Sequence, residues 1–235
     1  MWRFIAIVSI LFTNLGASAS SITIAGFAFA DGAQAFADDA FLVAGVIRYN
    51  CATAAAGPAS SVAEAVTGTD LERCINNDRS NSGVVEILFT DNRIENGAGP
   101  DLVVFELSGS LPVGTADPRE RFGVSVFDGS GFSSFAYYDP VSTGSNSCGD
   151  PSLCLDTFAV QIDLSSFGLA AGSFVDRVRL HIYDVGLGTK SADVAALGAL
   201  HSAPAVPEPT PLGLVAFGLL GLGVARRGRH SRPSE

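Results

Sequence analysis

The sequence predicts an all-β protein built as an antiparallel β-sandwich or jelly roll. Short apolar runs follow one another along the chain, separated by Gly, Pro, Asn, Asp and Ser, which end strands and form turns. In Thr157–Leu164 the large apolar side chains alternate with Ala159, Gln161 and Asp163, as on a strand with one buried face. No helical pattern recurs between the runs, which argues against a parallel α/β sheet.

Nine of these runs are predicted to be strands, and one short helix is predicted near Ser60–Val66. The predicted strands are, in order, Ser21–Phe29, Phe41–Arg48, Val84–Thr90, Leu102–Leu107, Phe122–Phe127, Phe132–Tyr138, Thr157–Leu164, Phe174–Tyr183 and Ala192–Leu200. Turn-rich connections of this kind join antiparallel strands.

Composition and charge exclude two classes of protein. The 235 residues are 47% apolar and 16% charged, which excludes a chain that is disordered throughout. The net charge is −10, and residues 20–205 carry 22 acidic against 9 basic residues, a net charge of −13. Such a surface repels phosphate, so we expect no nucleic-acid partner. The last ten residues are basic instead, and this asymmetry indicates a membrane.

The N-terminus has the pattern of a secretory signal peptide. Arg3 precedes the apolar run Phe4–Leu15, and the small residues Ala17 and Ala19 fit the cleavage site of signal peptidase. We predict cleavage after Ala19 and export through the general secretion translocon, because no Arg-Arg pair precedes the run. A buried first helix or strand is the alternative.

The C-terminus has three parts in a fixed order. The motif Val206–Pro209 comes first, the apolar stretch 211–225 follows, and a basic tail covers 226–235. At about 1.5 Å per residue the stretch spans about 22 Å, which a thinned bilayer and snorkelling arginines accommodate. We predict a transmembrane helix with its arginines in the cytoplasm, either as a permanent single-pass anchor or as a segment that a membrane enzyme removes. The arginines are Arg226, Arg227, Arg229 and Arg232.

This C-terminus resembles the PEP-CTERM sorting signal of exopolysaccharide-producing Gram-negative bacteria. In that family an integral-membrane exosortase recognises the Pro-Glu-Pro motif, which Pro207, Glu208 and Pro209 carry here, and the tail is removed. The resemblance implies an exported protein that is first anchored in the inner membrane and then reaches the cell surface or extracellular matrix. The predicted parts of the chain are a signal peptide (1–19), an exported β-sandwich (20–203) and a sorting signal (204–235).

Four cysteines in an exported chain predict two disulfides, for which three connectivities are open. We favour local pairing, since each local pair brackets a loop rich in Gly, Ser, Asn and Asp. The favoured pairs are Cys51–Cys74 and Cys148–Cys154. A zinc site is not expected, because the sequence has no Cys-x-x-Cys spacing and few histidines.

No catalytic constellation is recognisable in the sequence, and we expect a protein that is not an enzyme. His-Glu-x-x-His and Gly-x-Ser-x-Gly are both absent. His181 lies within a predicted strand and His201 follows the last apolar run, positions at which histidines are more often structural than catalytic. The many aspartates leave glycosidase chemistry open, although no spacing argues for it.

The loop from Asp91 to Asp101 is the candidate metal site. Asp91, Asn96 and Asp101 offer the oxygen ligands that calcium prefers, and the glycines of the loop allow sharp turns. The alternative is a hairpin loop in which the Asp and Asn side chains cap turns and Asn96–Gly97 supplies a positive φ.

Three segments of the body carry a second resemblance. The run DNRIENGAGPDLVVFEL, with VDRVRLHIYDV and SADVAALGAL, resembles the β-sandwich domain of exported PEP-CTERM proteins and is similar to galactose-binding-like jelly rolls. In those jelly rolls a structural calcium lies near a strand end and takes further ligands from the final strand. The resemblance therefore implies Asp193 as the ligand that completes the calcium site.

Three functions remain for the body. The first is a non-catalytic surface or matrix protein associated with exopolysaccharide, which the sorting signal, the acidic charge and the cysteines fit. The second is a lectin-like carbohydrate-binding module, whose aromatic platform would come from Phe132, Phe135, Tyr137 and Tyr138 unless these rings belong to an ordinary core. The third is a secreted glycan hydrolase, against which the missing motifs argue.

Overall fold

The computed structural model describes residues 20–52, 57–77, 81–108, 111–147, 154–183 and 191–205. The signal-cleavage residues Ala17 and Ala19, the Pro-Glu-Pro motif, the transmembrane stretch 211–225 and the arginine tail lie outside these described residues. Among the described residues, no helix has the length and apolar character needed to cross a membrane.

Strands dominate the regular structure of the described residues. These residues also contain one short α-helix, α1 (Val62–Val66), and three 3-10 helices at Gly32–Ala35, Pro118–Glu120 and Leu164–Phe167. The strands are β1 (Ile22–Ile24), β2 (Phe27–Phe29), β3 (Asp39–Gly45), β4 (Arg48–Ala52), β5 (Arg73–Asn76), β6 (Gly83–Leu88), β7 (Asn92–Glu95), β8 (Leu102–Ser108), β9 (Phe122–Val126), β10 (Ala136–Tyr138), β11 (Val141–Ser147), β12 (Leu155–Ile162), β13 (Phe174–Val175), β14 (Arg177–Ile182), β15 (Val194–Ala199) and β16 (Ser202–Pro204).

Two antiparallel sheets form the sandwich, which confirms the predicted all-β class. One has five strands in the order β10-β9-β14-β6-β3, and the other has six in the order β11-β12-β8-β15-β5-β4. A hairpin of β1 and β2 and a small sheet in the order β13-β7-β16 complete the described β-structure. Consecutive strands pair only at the sheet edges, as β9–β10, β11–β12 and β4–β5, while the other neighbours in the two large sheets are not consecutive in the chain. The core therefore depends largely on long-range pairing.

The main core lies between the two large sheets. Alternating side chains of both sheets point inward and are fully buried, as a period of two along each strand requires. On β12 the inward residues are Phe158, Val160 and Ile162, which were predicted to share one face, and on β14 they are Val178 and Leu180.

A second core covers the outer face of the six-stranded sheet. Phe27 and Phe29 of the β1–β2 hairpin pack on Phe105 with ring centroids 5.6 and 6.2 Å apart, and Phe36 packs on Phe29 at 4.6 Å. Both faces of β8 are therefore buried, and every residue of this strand is inaccessible to solvent. This explains why Leu102–Leu107 is apolar almost without alternation.

Four predicted strands differ from the observed elements. Of the predicted strand Phe132–Tyr138, only Ala136–Tyr138 forms a strand, β10. Ser21–Phe29 is a hairpin, since Ala25 and Gly26 both adopt left-handed backbone at φ 49° and 88° and turn the chain. The predicted strand Phe41–Arg48 divides between β3 and β4, and Phe174–Tyr183 divides between β13 and β14. Predicted strands near β6, β8, β9, β12 and β15 agree within a few residues, while β5, β7, β11 and β16 were not predicted.

The predicted helix near Ser60–Val66 is present as α1. Its N-cap is Ser61, whose hydroxyl accepts a hydrogen bond from the Glu64 amide at 3.1 Å, and Glu64 lies in the first turn where the helix dipole favours a carboxylate. Ala65 and Val66 are buried against the sandwich. The cap and the two buried residues explain why so short a helix forms here.

The disulfide between Cys51 and Cys74 is present and links β4 to β5, with the two Cα atoms 5.1 Å apart. This confirms one of the two predicted pairs. Cys154 is also disulfide-bonded, and none of the described cysteines is free. Cys148, the partner predicted for Cys154, lies outside the described residues, so that pair stays a prediction.

Candidate functional site

The candidate site is a row of aromatic and arginine side chains on the outer face of the five-stranded sheet, which we call the aromatic row. Along β14 every second side chain points outward, which places Arg177, Arg179 and His181 on this face, and Tyr183 follows directly after the strand. Their neighbours between the two large sheets, Val178 and Leu180, are fully buried. Strand periodicity thus puts four side chains of one segment in line on the surface.

The segment that follows β9 brings further rings onto the same face. Phe127, Phe132, Phe135 and Tyr137 all contact side chains of the β14 segment. The segment is held against β9 because the Ser133 amide donates to the Val126 carbonyl at 3.0 Å and the Ser125 hydroxyl donates to the Ser133 carbonyl at 2.7 Å. The sheet therefore fixes both segments that form the aromatic row, the β14 segment and the segment after β9.

Tyr137 reaches across β9 because the residue beneath it is a glycine. Tyr137 and His181 are both opposite Gly123 in the ladder, on the two strands that flank β9. A Cβ at Gly123 would lie 2.8 Å from a ring carbon of Tyr137 and 3.2 Å from the His181 Cβ. The missing side chain lets the Tyr137 hydroxyl come within 3.0 Å of His181 Nδ1 while 45% of Tyr137 stays exposed.

Four rings form the aromatic end of the row. His181 and Tyr183 stack with centroids 5.1 Å apart and an interplanar angle of 22°. Tyr137 stands nearly perpendicular to Tyr183, at 5.2 Å and 79°, and Phe135 lies 5.4 Å from His181. These are favourable edge-to-face and stacked geometries, so the rings hold one another in place. All four remain at least partly exposed to solvent.

The other end of the row consists of arginines stacked on phenylalanines. The Arg179 guanidinium lies 3.7 Å from the Phe132 ring centroid, and Arg177 lies 4.1 Å from that of Phe127. Both arginines also face the nearly buried Glu86 of β6, to which Arg179 donates two hydrogen bonds at 3.0 and 2.8 Å. Stacking and ion pairing together fix the arginines and neutralise their charge.

A bidentate ion pair lies beside the aromatic end. Arg121 donates to both carboxylate oxygens of Asp139 at 2.7 and 2.6 Å. Phe122 pairs with both Tyr138 and Ile182, so Arg121 and Asp139 lie at the next ladder position, level with Tyr183. Burial raises the pKa of Tyr183, an effect that Arg121 opposes and Tyr137 and Asp139 reinforce. Burial lowers the pKa of His181, which keeps this imidazole neutral at neutral pH.

The aromatic residues predicted from sequence divide between the two faces of the sheet. Phe132, Phe135 and Tyr137 lie in the aromatic row, whereas Tyr138 points inward and packs against the main core. Burial accordingly raises the pKa of Tyr138. His181 and Tyr183 were not predicted as site residues, although alternation in RVRLHIYDV already places them on one face with the two arginines.

The predicted metal ligand Asp101 is a fully buried carboxylate with three hydrogen-bond donors. Oδ1 accepts from the Gly97 amide at 2.7 Å and from His201 Nδ1 at 2.8 Å, and Oδ2 accepts from the Leu164 amide at 2.8 Å. Gly97 must be a glycine because the His201 ring occupies the place of its Cβ, whereas the left-handed turn is at Gly99, with φ 87°, not at Asn96–Gly97 as predicted.

The Asp101–His201 hydrogen bond links two parts of the chain that are 100 residues apart. Among the described residues, no hydroxyl or thiol hydrogen-bonds to the second ring nitrogen of His201. A catalytic triad needs such a nucleophile within hydrogen-bond reach of the imidazole. The pair therefore connects the Asp91–Asp101 loop to the end of the body.

The structure does not bring the four predicted calcium ligands together. The Asp91 amide donates to Asp38 at 3.2 Å, and burial and the Asp38 carboxylate raise the pKa of Asp91. Asn96 is buried and donates to the Leu169 carbonyl at 2.9 Å. The Asp193 carbonyl accepts a hydrogen bond from the Leu107 amide at 2.9 Å. Leu107 lies at the far end of β8, about 17–20 Å along the strand from Asp101.

One group of three potential metal ligands occurs within the part of the chain that the structure describes. It consists of Cys51, Cys74 and the Asp193 carboxylate. Because the two sulfur atoms are joined in the disulfide, they are not thiolate ligands. Calcium at the Asp91–Asp101 loop stays a prediction, with Asp193 outside the reach of that loop.

Comparison with known proteins does not assign the chain to a family. No family model and no curated protein matches it. Among solved structures it is similar to the C-terminal domain of a chitobiase from Bacteroides fragilis, with a TM-score of 0.35 and 11% identity over 72% of this chain and 96% of that chain. A likeness this low carries no functional argument, so the function is argued from the residues themselves.

Proposed function

We propose that the chain is an exported, exosortase-sorted protein of the cell surface or extracellular matrix of a Gram-negative bacterium, non-catalytic and associated with exopolysaccharide. The observation that carries the proposal is the order of Val206–Pro209, the apolar stretch 211–225 and the four arginines. A disulfide-bonded body supports it, because disulfides persist in oxidising compartments outside the cytoplasm.

The proposal includes the finer assignments at both ends of the chain. The signal peptide 1–19 would be removed by signal peptidase after translocation, and the exported body would have a jelly-roll type of sandwich. The stretch 211–225 would hold the precursor in the inner membrane until an exosortase acts on Pro207–Glu208–Pro209.

Glu208→Ala is expected to block processing. The variant precursor should accumulate in the membrane fraction at full size, because the exosortase would no longer recognise the motif. Glu235→Ala, a change of the same residue type in the tail, is the control and should be processed like the original chain. Immunoblots of membrane and released fractions, with and without the exosortase, measure both. Normal release of Glu208→Ala would show that the sorting proposal is wrong.

A lectin-like carbohydrate-binding module is the second candidate function, and the aromatic row is the observation that favours it. Partly exposed rings beside hydrogen-bonding groups are the surface that sugars need, since sugars present both C–H faces and hydroxyl edges. The two candidates are compatible, because a matrix protein could hold polysaccharide through such a surface.

A further inference from the structure

We propose that the aromatic row binds an uncharged glycan chain, with Tyr137 and Tyr183 as the stacking residues and the Arg121–Asp139 pair as the polar anchor. The inference rests on the proposed association with polysaccharide and names the surface and the class of glycan responsible for it.

The stacking contacts follow from the geometry of the two tyrosines. Their rings are nearly perpendicular and in contact, so a ligand that lies across the pair meets one ring by its face and the other by its edge. The C–H groups of a sugar ring suit the negative face of an aromatic ring, and its hydroxyls can hydrogen-bond to the tyrosine hydroxyl. Tyr137, with 45% of its surface exposed, is the most open of the four rings.

The polar anchor follows from the unused capacity of the ion pair. Arg121 has five N–H donors, of which the bond to Asp139 uses two, and each carboxylate oxygen of Asp139 accepts one of them. The remaining Arg121 donors and Asp139 lone pairs are available to a ligand on this face of the sheet. Two neighbouring hydroxyls of a sugar match such a set, because each hydroxyl both donates and accepts.

The charge of the row argues for an uncharged ligand. Arg121 is paired with Asp139, Arg179 with Glu86, and Arg177 with Asp176 at 3.5 Å. The lowered pKa of His181 keeps that residue neutral at neutral pH. Recognition of uronate or sulfate needs surplus positive charge, and residues 20–205 instead carry a net charge of −13, which repels anionic chains.

The length of the row argues for a chain rather than for one sugar. From Arg177 to Tyr183 the outward side chains extend about 20 Å along the strand direction. Stacking and ion pairs already hold the rings and arginines in place, and Gly123 leaves room for the Tyr137 ring. Binding therefore requires little further ordering of these side chains. We therefore expect oligosaccharides to bind more tightly than the corresponding monosaccharides.

The test is binding of the full-length chain, purified in detergent, to an array of neutral and uronate-containing oligosaccharides. We expect binding to neutral oligosaccharides, weakened about tenfold or more by Tyr137→Ala and by Tyr183→Ala. Tyr137→Phe should retain most of the affinity, because it keeps the ring. Tyr49→Ala removes a tyrosine of similar exposure outside the row and should leave binding unchanged. Thermal melting verifies that each variant is folded.

Several results would overturn the inference. These are the absence of binding to every neutral glycan, binding to uronate chains alone, and binding that Tyr137→Ala and Tyr183→Ala leave intact. Self-association that both substitutions abolish would show that the row joins two copies of the chain instead. None of these outcomes affects the processing of Glu208→Ala, so the sorting proposal and the glycan inference can fail separately.

Discussion

Replacing Asp101 by alanine is expected to lower the free energy of unfolding by about 3–5 kcal/mol, the usual cost of removing one partner from a buried charged network. The carboxylate is fully buried, and its three donors come from the Gly97 amide, the Leu164 amide and His201. The substitution would leave two amide groups and an imidazole without their acceptor inside the protein. Chemical denaturation measures the loss.

The position of Asp101 explains why so many donors meet there. Its amide donates to the Ile162 carbonyl at 2.8 Å, and its carbonyl accepts from the Leu200 amide at 2.7 Å, so the residue joins β12, β8 and the segment after β15. Asp128→Ala is the control, because Asp128 accepts only from Ser130 and Gly131 within its own exposed turn. We expect Asp128→Ala to lower the free energy of unfolding by only a small fraction of the loss caused by Asp101→Ala.

Asp101→Asn provides a variant that keeps the shape of the side chain if Asp101→Ala does not fold. The amide nitrogen of the new side chain would face one of the three donors, so the Asp101→Asn protein should also have a much lower free energy of unfolding. An effect no larger than that of Asp128→Ala would contradict this account of Asp101.

Asp101→Ala also distinguishes a hydrogen-bonding role of Asp101 from a calcium-binding role. If Asp101 acts by accepting its three hydrogen bonds, Asp101→Ala should cost the same with calcium as with excess EDTA, and EDTA should leave the melting temperature of the original chain unchanged. A lower melting temperature in EDTA that Asp101→Ala abolishes would support the calcium prediction instead, since a ligand that binds the native state stabilises it by mass action.

The parts of the fold predicted from sequence are those in which local pattern and burial agree. Thr157–Leu164 alternates because one face is in the main core, and Leu102–Leu107 is apolar throughout because both of its faces are covered. The strand Val141–Ser147 was missed because it lies at a sheet edge and is mostly polar, with no apolar alternation to detect. The Ala25–Gly26 turn was missed because alanine rarely adopts a positive φ.

The candidate site was predicted only in part, since its residues meet through pairing that sequence does not specify. Composition identified Phe132, Phe135 and Tyr137, but the register of β10 against β9 decides that Tyr137 faces outward and Tyr138 inward. Likewise, Asp101 and His201 are 100 residues apart, and nothing local indicates that they form a hydrogen bond.

Glu106 is a carboxyl group that is fully buried inside the sandwich. It lies on the inner face of β8, directly opposite Phe158 on one side and Val194 on the other, and it is inaccessible to solvent. Oε1 accepts from the Asp193 amide at 3.3 Å, and the Glu120 carboxyl is a further hydrogen-bonding neighbour. Burial raises the pKa of Glu106 well above its usual value of 4.5, and the neighbouring Glu120 and Asp193 raise it further.

The raised pKa fixes the sign of the pH dependence. The unfolded chain loses this proton near the usual glutamate pKa, whereas the folded chain keeps it to higher pH. The contribution of the protonated Glu106 to the free energy of unfolding is therefore fully present below the usual glutamate pKa. It is lost as the pH rises through the pKa of Glu106 in the folded state. Glu106→Gln removes this dependence, because the amide keeps the shape of the side chain and can donate a hydrogen bond toward Glu120 without ionising.

Glu106→Gln is expected to unfold with nearly the same free energy as the original chain at about pH 4 and to be more stable by about 1–3 kcal/mol near pH 8, the range set by the cost of desolvating one buried polar group. Urea denaturation across this pH range measures the difference. Glu72→Gln is the control, since Glu72 lies partly exposed at the surface and should leave the pH profile of the original chain in place. The opposite result would be a stability difference between Glu106→Gln and the original chain that moves against the variant as the pH rises from 4 to 8. It would show that Glu106 is ionised in the folded protein and is stabilised by a positive charge.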